Sequence, residues 1–245
     1  MQLSHNKILL TGGTSGIGLE LLKQLYHRNN QMIVAAHNET HLAEIRNDFP
    51  NITTLVCDLS DSNSVRELIN TFSLHHRDLN VLINNAGIQY NYSWINEKDG
   101  FTKMSTEIRV NFTSPMQIAY GLLPLLLQQK NSAIVNVSSG LALAPKKTAP
   151  IYCGTKSAIH TATKALRYQL ENSSVKVFEI IPPPVDTAMN EGDKKGKISA
   201  QRVVNEFLKN FQNNQLESNI GKIKWFRLIQ RLSPALADRM KKNDL

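Results

Sequence analysis

The stretch KILLTGGTSGIG, Lys7 to Gly18, decides the fold. Its first five residues form a short apolar run of β type, and glycines at 12, 13, 16 and 18 end it. Ile17, Leu21 and Leu25 then recur at helical spacing. A strand that turns through glycines into a helix aims backbone amides and the helix N-terminus at one point, where a phosphate group is received. Gly16 and Gly18 have no Cβ to block that approach or to crowd helix against strand. Taken alone, the turn reads equally well as a plain structural one. Its place directly after the first strand points to a nucleotide met by Gly12, Thr14, Ser15, Gly16, Ile17 and Gly18.

The same alternation continues outward. Gln31–Ala36, Thr53–Cys57, Leu79–Ile83, Ala133–Val137 and Val175–Ile181 are further β-type runs, six in all. Between them Leu42 and Ile45, then Val65, Leu68, Ile69 and Phe72, repeat at helical spacing. Strands alternating with helices predict an α/β fold: a doubly wound parallel sheet of Rossmann type, in three layers. The 245 residues suit one such domain over 1–245. Twelve glycines, nine prolines and two cysteines exclude collagen-like, disordered and disulfide-scaffold classes. The longest apolar run, Ala119–Leu127, is short and carries Pro124. It is too short to span a bilayer. With no leader-like start, the expectation is a soluble cytoplasmic protein. Asn190–Ser199 (NEGDKKGKIS) is polar and basic and reads as a mobile lid loop.

In such folds ligands bind where the strands end. The second run ends Ala35–Ala36–His37–Asn38, with no carboxylate to take a ribose 2′-hydroxyl. His37 and Asn38, with Thr14 and Ser15, offer donors to a 2′-phosphate, so NADP is expected over NAD. The third run ends in Asp58 and Leu59; Asp58 either faces the crevice or caps the next helix, with Ser60 and Asp61 competing for the cap. The fourth leads into Asn84–Asn85–Ala86–Gly87, small enough for close approach and equally suited to a turn. The fifth ends at Ser138–Ser139, placing a hydroxyl in the same crevice. Of six tyrosines only Tyr152 has a lysine four residues on, Lys156. On a helix the two share a face. A nearby ammonium favours the phenolate and brings its pKa towards neutrality, which suits acid–base work. Asn111, in an amphipathic segment, is either a relay amide or a satisfied core residue.

Together TGGTSGIG, NNAG, Asn111, Ser139 and YCGTK resemble, in order and spacing, the classical short-chain dehydrogenase/reductase family across residues 5 to 190. SSGLALAP, PIYCGTKSAIH, IIPPPVDT and RLSPALADRM resemble more closely its DltE-type oxidoreductases of Gram-positive bacteria. The resemblance implies NAD(P)-dependent hydride transfer between nicotinamide and a carbonyl or alcohol. Tyr152 would be the acid/base, and Lys156 would lower its pKa and hold the nicotinamide ribose. Ser139 would bind the substrate oxygen, and Asn111 would hold a relay water. Asp58 and Leu59 would meet the adenine, and Asn85, Ala86 and Gly87 would line the cofactor. Pro182, Val185 and Thr187 would border the nicotinamide. Where the family has Pro-Gly this chain has Pro182–Pro183–Pro184, a stiffer turn with fewer donors. Gln89–Trp94, Leu141 and Ala149 are expected to shape the substrate pocket. A homo-oligomer is expected. The alternative from another class is a nucleotide-binding accessory protein of cell-envelope (teichoic acid D-alanylation) synthesis.

The charge is uneven. The chain is formally +8, and Lys222–Leu245 holds seven basic residues and two acids. Trp225, Phe226, Leu228, Ile229, Leu232, Leu236 and Met240 recur there at helical spacing, so a basic amphipathic helix is expected. It either docks on its own domain or a sister subunit, or rests peripherally on an anionic membrane. Nothing accompanies it that would recognise nucleic acid. Lys194, Lys195 and Lys197 sit in the expected lid, where they would meet an acidic substrate. No His/Cys/Asp/Glu spacing suggests a metal.

Overall fold

The computed structural model of the chain describes residues 1–190 and 196–242. Seven strands form one sheet: β1 (Lys7–Thr11), β2 (Gln31–Ala36), β3 (Thr53–Val56), β4 (Val81–Asn84), β5 (Ser132–Val137), β6 (Val175–Ile181) and β7 (Glu217–Asn219). Their order is β3-β2-β1-β4-β5-β6-β7, and every pairing is parallel. The order reverses between β1 and β4, so the ends of these two strands open the crevice in which such sheets bind ligands.

Helices α1 (Gly16–Tyr26), α2 (Glu39–Asp48) and α7 (Ala200–Gln212) cover one face, while α3 (Ser62–His75) and α5 (Ser114–Leu127) cover the other. Strand residues alternate between the two cores. Ile8 and Leu10 meet the α1–α2–α7 side, and Leu9 between them meets the α3–α5 side. Burial on both faces explains why these strands read as unbroken apolar runs.

β7 departs from expectation, which held six strands. Its sequence, Glu217–Ser218–Asn219, has no apolar residue, and as a three-residue edge strand it needs none. Its partner supplies the register, Glu179 opposite Glu217. Pro124 does not end its segment either. It lies inside α5 on the exposed side, where water can reach the carbonyl that its missing N–H leaves unbonded. Between α4 (Gly100–Ile108) and α5 the chain makes a π turn, Arg109–Thr113, with Asn111 inside it.

The long α6 (Pro150–Gln169) runs along β6. The expected C-terminal helix is two helices, α8 (Ile223–Leu232) and α9 (Pro234–Lys242), broken at Ser233. Pro234 explains the break, since it starts a helix readily but cannot continue one. Among the described residues no helix is long and apolar enough to cross a membrane. Residues 191–195 of the expected lid, with Lys194 and Lys195, and residues 243–245 of the basic segment lie outside the described residues. Lys197 is described, 3.9 Å from Asp186.

Candidate active site

A cleft of about 430 Å³ runs along the C-terminal ends of the strands. At its nucleotide end, Gly12 (φ +66) and Gly16 (φ +53) take left-handed backbone conformations that other residues rarely adopt. Gly18 is required differently. A Cβ there would lie 2.0 Å from the Gly12 carbonyl oxygen and 2.5 Å from Asn85 Nδ2. Asn85 donates from that amide to the carbonyls of Thr11 (3.0 Å) and Gly12 (2.9 Å). The Thr11 hydroxyl accepts from the Asn85 and Ala86 amides. The glycine turn is thus locked to the end of β4 by residues the sequence placed merely beside a cofactor.

The start of α1 is left open. Ser15 stands at its N-cap position with no side-chain cap, and no acid lies in the first turn. By contrast α2, α3 and α7 are capped by Asn38, Asp61 and Ser199. An uncapped helix start aimed into a cleft suits an anionic group, so the donor set fits a dinucleotide pyrophosphate. His37, Asp58 and Leu59 line the same end. Asp58 does not cap α3. Its carboxylate accepts from the Ser60 amide at 2.8 Å, and Asp61 is the cap. Asn38 is outside the cleft wall, its oxygen bonded to the His41 amide at 3.1 Å.

At the other end Ser139, Tyr152 and Lys156 converge. β5 carries Ser139 just past its last residue, and the hydroxyl accepts from the Leu141 amide at 3.1 Å. α6 presents Tyr152 and Lys156 one turn apart, with Lys156 Nζ 5.6 Å from the centre of the phenol ring. Both side chains are buried. Burial pushes the Tyr152 phenol up, and its hydrogen bond with Ser139 pulls the other way without prevailing. Burial pushes Lys156 down to about 8, against the opposing field of Glu179. The Lys156 ammonium donates to the Val137 carbonyl at 2.9 Å. Burial thus favours the neutral phenol.

Asn111 is buried and lies off the cleft wall. Its oxygen accepts from the Ile88 amide (2.8 Å), and its amide donates to the Ile88 carbonyl (2.8 Å) and to Thr155 (3.2 Å). It therefore clamps the chain leaving β4. A Cβ on Gly87 would come within 3.2 Å of Asn111 Oδ1 and 3.4 Å of Lys156 Nζ, so that glycine keeps both polar ends accessible.

Of the expected substrate residues, Gln89 and Leu141 line the cleft, while Ala149 is fully buried at the start of α6 and does not. Pro182, Val185 and Thr187 also line the cleft. Pro182 also accepts from the Gly140 amide at 2.9 Å, so the stiff proline turn braces the Ser139 turn. Three residues went unnoticed in the sequence. Lys146 and Lys241 line the cleft; no motif marks either, and Lys241 arrives from the far end of the chain. Glu107 is fully buried and accepts from the Tyr90 amide at 2.8 Å. A carboxylate one turn before Asn111 was the only signal for it.

Among the described residues, one group outside the cleft has metal-ligand character: His160, Glu179 and Glu217. Arg167 lies 3.7 Å from each carboxylate, and Arg227 pairs with Glu217. Guanidinium groups already supply the positive charge that a metal would bring, so the cluster is an ion-pair network.

Comparison with known proteins agrees with this geometry. A family model described as short chain dehydrogenase matches residues 6–197. An uncharacterized oxidoreductase, DltE of Bacillus subtilis, is 38% identical over 93% of this chain and 92% of its own length. An oxidoreductase of Staphylococcus epidermidis is 31% identical over 80% of this chain and 86% of its own. Among solved structures, a short chain dehydrogenase from Burkholderia cenocepacia, crystallised with NADP, superposes with a TM-score of 0.87 at 23% identity, covering 98% of this chain and 99% of that one. A short-chain dehydrogenase from Sphingobium yanoikuyae, crystallised with NADPH, does so with a TM-score of 0.81 at 21% identity, covering 95% and 96%. On the family match and these relatives, the chain belongs to the short chain dehydrogenase family.

Proposed function

We propose that the protein is an NADP-dependent oxidoreductase that interconverts a carbonyl and an alcohol, with Tyr152 as the proton donor and acceptor. The observation that carries this reading is the convergence of Ser139 with the buried Tyr152 and Lys156 at one end of a cleft whose other end is an uncapped helix start. The glycine turn and the α1 N-terminus would hold the pyrophosphate, and Lys156 and the Pro182–Thr187 turn would border the nicotinamide. When bound, the nicotinamide cofactor supplies or accepts the hydride at the substrate carbon. In reduction, Ser139 orients the substrate oxygen and the neutral Tyr152 phenol gives it a proton. Lys156, protonated below about pH 8, stabilises the phenolate left behind until a proton returns from solvent. In oxidation the same proton travels back.

Two observations support NADP over NAD. No carboxylate stands at positions 35–38, and His37 is exposed on the cleft wall. Separate titrations with NADPH and NADH, followed by fluorescence, should show tighter binding of NADPH; equal or reversed affinity overturns this part. A carbonyl screen with the preferred cofactor then supplies the assay. Tyr152→Phe should lower turnover at least about 100-fold while leaving cofactor affinity within a few fold. A Phe variant as active as the wild type removes Tyr152 from the mechanism.

A further inference from the structure

Residues 222–242 carry seven basic side chains and one acid, Asp238. α8 and α9 dock on the domain through one side only. Phe226 and Ala237 are buried against Ala144, and Ile223 closes over Gly140. The other side is left in solvent: Trp225 is 72% exposed, Leu232 75%, Leu228 48%, Leu236 48% and Met240 42%. Trp225, Leu228 and Leu232 are spaced three and four apart on α8, and Leu236 and Met240 four apart on α9, so each set shares a helix face. Lys222, Lys224, Arg231, Arg239 and Lys242 are exposed alongside them. Most of the apolar stripe thus faces solvent instead of packing on the domain.

We propose that this outer face of α8 and α9 seats the protein on an anionic lipid surface. The apolar stripe would enter the boundary between headgroups and acyl chains, and the flanking cations would meet lipid phosphates. A helix lying in that plane presents this division: Trp and Leu on one side, Lys and Arg at its margin. Charge selects the occupant. A second copy of the chain would set five exposed cations against five. A neutral surface would leave them unused. An anionic bilayer satisfies them without demanding a fixed shape. The inner side of the same helices borders the cleft. Lys241 lines it, and the Lys242 carbonyl accepts from the Lys147 amide at 3.4 Å. A seated membrane would therefore lie behind the helix that walls the substrate end. None of this depends on Tyr152 being catalytic.

Vesicle flotation tests the proposal. The protein should float with phosphatidylglycerol/phosphatidylcholine vesicles at low salt, not with phosphatidylcholine alone, and be released as salt screens the cations. In a Trp94→Phe background, Trp225 emission should shift to the blue on binding. Lys224→Gln with Arg231→Gln should weaken partitioning about thirtyfold, at about fivefold per charge. Trp225→Ala with Leu232→Ser should weaken it as well; all four side chains are exposed, so thermal unfolding should stay unchanged. Failure to float at low salt overturns the proposal. So does binding untouched by the Trp225/Leu232 change, which would mean simple adsorption of a basic protein. Concentration-dependent self-association abolished by that same change would make the face an interface between copies and overturn it too. Equal capture by soluble polyglutamate would assign it to an acidic polypeptide instead.

Discussion

Tyr152 and Lys156 are both carried into the interior in forms that resist charge, and that tension is a property of single residues. Their spacing made them legible, because a phenol and an ammonium four apart share a helix face wherever the helix lies. What the spacing did not show was that both groups are buried, because burial depends on the whole fold. Lys156 falls to about 8 on burial, equivalent to roughly 3 kcal/mol of disfavoured charge at neutral pH. Lys156→Met should therefore abolish turnover yet raise stability at pH 7 by roughly 2 kcal/mol, after loss of the Val137 hydrogen bond. The sign with pH follows from linkage. Above about 8 the folded protein sheds this proton while the unfolded chain keeps it to about 10.4, so the wild type gains on the variant as pH rises through that window. Urea unfolding at pH 7 and pH 10 measures the gap; a variant less stable than the wild type at pH 7 refutes the argument.

At the scale of elements, the segment from α4 through the π turn to α5 holds the far wall of the cleft. Asn111 grips both backbone groups of Ile88, and Glu107, one turn earlier, grips the Tyr90 amide. The sequence placed Asn111 through a family pattern, but no pattern located Glu107. Its second oxygen is buried with no hydrogen-bond partner, and burial raises its pKa. A raised carboxyl favours folding while protonated and loses that advantage as pH climbs through its titration. Glu107→Gln keeps an acceptor for Tyr90 without the charge. Its thermal stability should match the wild type near pH 4 and exceed it at pH 7; a gap independent of pH would show that ionisation of Glu107 is not what costs stability. The central strands and the helices after them were legible for the opposite reason, since each buries a face that must be apolar. β7 and the α8/α9 break escaped because one is a polar edge strand and the other hangs on Pro234 within an otherwise continuous pattern.

Across the molecule, the last third of the chain is tied to α6 by buried charge rather than by apolar packing alone. Glu179 of β6 is fully buried and accepts from His160 of α6 at 2.8 Å. Arg167, also of α6, lies 3.7 Å from both Glu179 and Glu217, and Arg227 of α8 pairs with Glu217. His160 follows Lys156 by one helical turn, and the field of Glu179 opposes the burial that lowers the Lys156 pKa. Glu179 is therefore a positioning residue that helps keep the Lys156 ammonium protonated from outside the cleft. Glu179→Gln should cost about 3 kcal/mol in urea unfolding, because it strips a buried ion pair of one charge. A purely structural role would stop there. The electrostatic role makes a second claim: in the kcat/KM profile for carbonyl reduction, the fall that follows loss of the Lys156 proton should move from about pH 8 to lower pH. An unmoved limb in a variant that is merely less stable would confine Glu179 to holding β6, β7 and α6 together.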